Sequence, residues 1–193
     1  MSATQALPAD TAPGINPWNL AWCALALVVL GIAIASPSLW LLTFVHVFSG
    51  VLWTGIDLFM GFVVGPIMRL IPPPARRAMA LRLMPKMLFL LPTLAALTGT
   101  AGWFLAVRMG FVAMPWPQFA WVAAALVIIT LLTIQGLGVL LPANLMVYFE
   151  LRKPHPDVGR IARLMRVYVY AVAFQGAMQV AIIVIMTRFA TGI

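Results

Sequence analysis

The sequence predicts an all-α, polytopic membrane bundle of five transmembrane helices. Three observations lead there. The 193-residue chain is 64% apolar and only 8% charged, with a mean hydropathy of +1.06. Soluble domains average roughly 45–50% apolar and about 25% charged residues, so a water-soluble globule of this length has too little interior to hide so many apolar side chains. Five separate apolar runs each reach the about 20 helical residues that cross a hydrocarbon core of roughly 30 Å. The basic residues are gathered in two short stretches between those runs.

In order, the runs are 18–36, 39–68, 87–107, 119–149 and 167–188. Ser36-Pro37-Ser38 closes the first. Pro66 kinks or ends the second, because proline lacks the helical N–H and its ring crowds the preceding turn. Pro142 lies inside the fourth. The fourth and fifth are expected to continue past the bilayer as polar-faced helices. Residues 75–86 (ARRAMALRLMPK) mix apolar and basic side chains at helical spacing and suit an interfacial helix on anionic lipid. Residues 1–17 are rich in Pro, Ala and Thr and carry no Lys or Arg. They are expected to form a disordered tail rather than a secretory signal, whose n-region is positively charged. Residues 18–193 then form one domain.

A net charge of +8 in a soluble chain suggests nucleic acid, but here its placement assigns it to topology. Arg69, Arg76, Arg77, Arg82 and Lys86 lie between spans two and three. Arg152, Lys153, Arg160, Arg163 and Arg166 lie between spans four and five. These ten of the 12 Lys and Arg residues belong to one side, opposite Arg108 and Arg188. The positive-inside rule makes that side cytoplasmic, with a cytoplasmic N-terminus and an external C-terminus. The expected location is a bacterial inner membrane, crossed several times. Trp18, Trp40, Trp116 and Tyr148 fall near span ends, where amphipathic rings favour the headgroup level. The single cysteine, Cys23, excludes an internal disulfide and a CxxC motif.

Ionisable groups in hydrocarbon are expensive and mark candidate sites. Span two carries His46 and Asp57. At 100° per residue, Gly50, Trp53, Asp57 and Val64 lie within about 40° of His46. His46 and Asp57 are nevertheless about 16 Å apart along the axis and cannot touch. A membrane imidazole can ligate haem iron or copper, or move a proton. The Gly50 notch admits a flat macrocycle or a neighbouring helix, and Trp53 can pack against a porphyrin edge. The competing role for His46 is a helix-bridging hydrogen bond. Met178 and Met186 are candidate second ligands, although methionine more often fills core gaps. Asp57 is a proton-relay candidate, with a structural hydrogen-bonded carboxyl as the alternative. Gln175 and Gln179 share one face of span five with Tyr168 nearby, and span four carries Gln135 and Asn144. Such amides usually bridge helices. Gly61 and Gly65 form a GxxxG pair, and Thr98, Gly99 and Gly102 a looser small-residue group. His155, in a loop, is read as solvated. The sequence contains no phosphate-binding glycine loop, HExxH, zinc array or G-x-S-x-G, which argues against a hydrolase or ATPase.

Residues 43–55 (TFVHVFSGVLWTG) resemble the H-x3-G-x2-W-x-G span of three bacterial membrane families. These are the membrane domain of some urate oxidases, the copper-resistance D-type proteins and the membrane type of protoporphyrinogen oxidase. Leu140-Leu141-Pro142-Ala143-Asn144 resembles the Pro-Asn span end of the urate oxidase domain. The resemblance implies an axial-ligand role for His46. It gives no role to Asp57. The protoporphyrinogen oxidase type also uses a lysine in a following span, and Lys86 is the only lysine near a span start, in a different context. The urate oxidase type carries a cytochrome c domain, whereas this sequence has no CxxCH. The expectation is a small membrane subunit binding haem b through His46, with Gly50, Trp53, Gln175 and Gln179 lining the interior. Its role would be electron transfer or accessory, beside other membrane subunits or a second copy, without nucleic acid. The alternatives are a non-catalytic scaffold subunit, a copper or small-solute transport protein using His46 and Asp57, and a haem-pathway oxidase.

Overall fold

In hydrocarbon every backbone polar group must be satisfied within the chain, so each apolar run folds as one long helix. The computed structural model describes residues 16–192, and no strand occurs among them. Five helices are long and apolar enough to span a membrane: α1 Trp18–Ala35, α2 Leu39–Leu70, α3 Pro73–Arg108, α4 Phe119–Arg152 and α5 Val158–Thr191. The tail expected over 1–17 lies outside the described residues except for Asn16 and Pro17. These two open α1, with the Asn16 side-chain oxygen accepting from the Trp18 N–H at 3.0 Å.

The helices overrun the expected spans. The stretch 75–86 is not a separate interfacial helix but the first part of α3. Pro73 and Pro74 occupy its first turn, where the missing N–H groups cost nothing. Nothing after them breaks the helix, which continues through Pro85 and Pro92. At about 1.5 Å per residue this helix is some 54 Å long, so its basic N-terminal turns reach beyond a hydrocarbon core of roughly 30 Å.

Two prolines share one solution. In α2 a π-helical segment, Met60–Val64, precedes Pro66, and Gly65 N–H bonds back to the Met60 carbonyl. In α4 the segment Gly136–Leu140 precedes Pro142, and Leu141 N–H bonds to the Gly136 carbonyl. Both are five-residue steps directly before the proline. Widening the turn there relieves the crowding a proline imposes on the carbonyl four residues earlier.

Packing divides into two clusters. Leu30 and Ala33 of α1, Leu42 and Val45 of α2, and Leu97 and Ala101 of α3 form one. Trp53 of α2, Leu94 of α3, Leu132 of α4 and Met178 of α5 form the other.

The two basic stretches meet at one end. The Arg77 guanidinium donates to the carbonyls of Leu151 and Lys153, each at 2.9 Å. Buried Glu150 gathers Lys153 Nζ at 2.8 Å, the Asp157 N–H at 3.1 Å and Arg160 at 3.4 Å. At the other end Arg108 donates to the Ser36 carbonyl at 2.8 Å and to that of Ile34, closing α3 against α1. Arg188 lies over the Trp121 ring at 4.4 Å. The rings of Trp18, Trp40 and Trp116 are exposed near helix ends as expected, but Tyr148 is fully buried. The long, continuous α4 places Tyr148 within the bundle, so it is a core residue there.

Candidate functional site

The polar stripe of α2 feeds two separate sites. The first lies between α2 and α3. His46 Nδ1 is 2.8 Å from the Thr98 carbonyl oxygen. A carbonyl only accepts, so Nδ1 carries the proton and Nε2 keeps its lone pair. The ring rests on Gly102: a Cβ at that position would stand 2.7 Å from His46 Cε1 and 2.9 Å from Nδ1. Glycine is therefore required for this approach. Thr98 Oγ1 is 2.9 Å from Ser49 Oγ and 2.8 Å from the Leu94 carbonyl, and Ser49 Oγ donates to the Val45 carbonyl at 2.6 Å. Gly50 faces the Thr98 methyl, 3.3 Å from where its Cβ would be. The small-residue group of α3 thus divides its labour. Thr98 and Gly102 receive α2, while Gly99 faces Ile129 of α4. Of the GxxxG pair, Gly61 meets another helix, at Val172, whereas Gly65 faces only the Met60 carbonyl of its own helix.

The second site joins α2 to α5. Asp57 is buried, and Oδ2 accepts hydrogen bonds from Gln175 Nε2 and, at 2.8 Å, from Gln179 Nε2. Trp53, one turn earlier on α2, is buried beside them. Both amides present their NH2 groups to this one carboxyl oxygen. Gln175 Oε1 and Gln179 Oε1 are buried and have no hydrogen-bond partner. Gly176 admits Leu58 beside this contact, and Asn144 hydrogen-bonds Tyr168. Gln135 bridges α4 to α5 through the Ala171 carbonyl. Trp53, Asn144 and Gln175 also line a cavity of about 420 Å³ between α3 and α4.

The predicted residues therefore separate. His46 and Gly50 form one group, and Trp53, Asp57, Gln175 and Gln179 form another. Gln175 and Gln179 attend Asp57 rather than His46. Met178 packs against Trp53 in the second group, and Met186 is half-buried on α5. His155 is exposed in its loop. No three His, Cys, Asp or Glu side chains gather into a metal site among the described residues. The sequence reading missed the Thr98 carbonyl and the Gly102 seat for His46. Gly102 stood in the small-residue group, but only the register between two helices pairs it with an imidazole.

No protein family, curated protein or solved structure matches this chain. The resemblance carried by residues 43–55 thus rests on the motif alone. His46 fits one requirement of haem: a ligating imidazole is normally oriented by a hydrogen bond from its other ring nitrogen, as Nδ1 is here. His46 is half-buried at the α2–α3 contact and does not line the cavity.

Proposed function

We propose that this chain is a small multi-pass subunit of a bacterial inner-membrane complex that holds b-type haem through His46 Nε2. The Nδ1 contact with the Thr98 carbonyl carries this reading, because it sets the tautomer and aims the ring. Haem iron supplies one-electron chemistry when bound. The chain's own contribution is orientation: Gly102 admits the ring, Thr98 holds it, and apolar side chains keep water away. With the ring at a helix–helix edge, a neighbouring subunit or second copy completes the other face. The two basic stretches at one end fit a cytoplasmic location for that end. Absorption spectroscopy after haem-replete expression tests the reading. A Soret band lost in His46→Ala is expected. No band, or one unchanged in that variant, overturns it.

The same geometry supports a second reading, a scaffold subunit in which His46 only joins α2 to α3. Its expected signature is a chain without a Soret band that His46→Ala destabilises.

A further inference from the structure

The cavity between α3 and α4 is long and narrow. Its lining runs from Met87 to Thr100 on α3 and from Ile129 to Asn144 on α4. At about 1.5 Å per residue, each stretch measures about 20 Å along the helix axis. Most of the wall is apolar, with Leu88, Leu91 and Ala95 on α3 and Leu137, Leu140 and Leu141 on α4. The buried Trp53 and Gln175 close the inner side. Ala96, Thr100 and Leu137 are exposed, so the outer side opens to lipid. Contacts between the two helices bound the cleft. Gly99 approaches Ile129 near one end, and beyond the other Arg77 ties α3 to the Leu151 and Lys153 carbonyls. A volume of about 420 Å³ spread over about 20 Å leaves a section of about 20 Å², room for one extended hydrocarbon chain. Apolar cavities of about 150 Å³ already take up apolar molecules from water, and this one stands among lipid chains.

The charges at one end of the cleft indicate which lipid fills it. Arg108 marks the far end of α3, and about 20 residues back along the helix, the length that crosses a hydrocarbon core, is Leu88. Lys86 and Arg82 therefore stand at headgroup level, directly beyond the lining residue Met87. They are four residues apart on one face of α3, and both are exposed. Neither enters an ion pair among the described residues, where both pairs belong to Glu150. We infer that the cleft is a binding site for an anionic phospholipid of the leaflet at the basic end. One acyl chain lies between α3 and α4, and the phosphate is received by Lys86 and Arg82. The chain satisfies the apolar wall, and the two cations select the headgroup. This site does not depend on the haem reading, because it uses no His46 contact.

Native mass spectrometry of the full chain tests the proposal, with dioleoyl phosphatidylglycerol or dioleoyl phosphatidylcholine added to the detergent. The two lipids share their tails and differ in headgroup charge. The anionic lipid is expected to bind at least about tenfold more tightly, the scale of two cations beside an anionic headgroup. Glycerol phosphate, an anion without tails, is expected not to bind. Arg82→Gln combined with Lys86→Gln is expected to abolish the preference between the lipids. Gly136 lines the cleft, and a Cβ there meets no atom within 4 Å, so Gly136→Phe fills the space and is expected to remove both lipids. Equal affinities for the two lipids, no binding of either, binding of glycerol phosphate as tight as that of the anionic lipid, a preference retained in the double variant, or anionic lipid retained in Gly136→Phe overturns the proposal. The double variant changes only exposed side chains, so it decides the matter if Gly136→Phe fails to fold. The Soret measurement on His46 is unaffected by any of these outcomes.

Discussion

Two contacts of α2 with its neighbours use polar groups in opposite ways. Around His46, each side-chain donor ends on a backbone carbonyl or a neighbouring hydroxyl, and a glycine shapes the space. Around Asp57, two amide donors converge on one carboxyl oxygen, and both amide oxygens are left without hydrogen-bond partners. The first arrangement is locally complete apart from the imidazole Nε2. Close packing and local hydrogen bonding join α2 to α3, whereas the α2–α5 contact gathers its donors on a single buried carboxyl oxygen.

Removing a donor from Asp57 should have the largest effect. Gln179→Leu takes one hydrogen bond from the buried Asp57 carboxyl group and is expected to cost about 1–3 kcal/mol, the range for leaving a buried polar group short of a partner. Thermal unfolding in detergent measures it. A loss no larger than that of Thr98→Val would erase the contrast between the two sites.

Gly102→Ala comes next. The new methyl would stand 2.7 Å from the His46 ring, so the ring must move and give up its Thr98 bond. A cost of about 1–3 kcal/mol is expected for such overpacking. In a His46→Ala background the same substitution should be nearly neutral. Equal costs in both backgrounds would show that Gly102 serves something other than the imidazole.

Thr98→Val should cost only about 0.6 kcal/mol, the average for hydrogen bonds between membrane helices. The carbonyl that holds His46 survives this change, so any Soret band should remain in place. A shift of that band would mean that the hydroxyl, too, orients the ring.

The smallest effect is expected at the basic end. Asp157 caps α5 by accepting the Arg160 N–H at 2.9 Å. That bond first, then the Gly159 N–H and the Arg163 and Arg160 charges, holds the carboxyl below its ordinary range. The folded value is thus below the unfolded one. The stabilisation is present above about pH 4, near the unfolded value, and disappears as pH falls through the folded value. Asp157→Asn keeps a capping oxygen but does not titrate. Melting curves between pH 7 and pH 3 should therefore show less acid loss in the variant. Identical loss would remove Asp157 from the acid response.

Much of the bundle is legible in the sequence. Apolar run lengths marked five spans, and the basic stretches marked a shared end where Arg77 does meet Leu151 and Lys153. Boundaries were less legible. The segment 75–86 looked like its own element, because mixed apolar and basic spacing is the same for an interfacial helix and for the protruding turns of a span. Tyr148 looked like a headgroup anchor, because position along a chain does not reveal which face a helix buries. At the site level, the four-residue spacing of Gln175 and Gln179 showed that they share a face, but not that the face meets Asp57.

Sequence alone determined the solvent and the secondary structure of this protein, since apolar length and charge content decide whether a chain belongs in lipid and lipid demands helices. Tertiary structure decided the chemistry. It divided one stripe of α2 into an imidazole seated on Gly102 and a carboxyl group held by α5, because partners are chosen by the sliding and rotation of whole helices, which no single helix encodes.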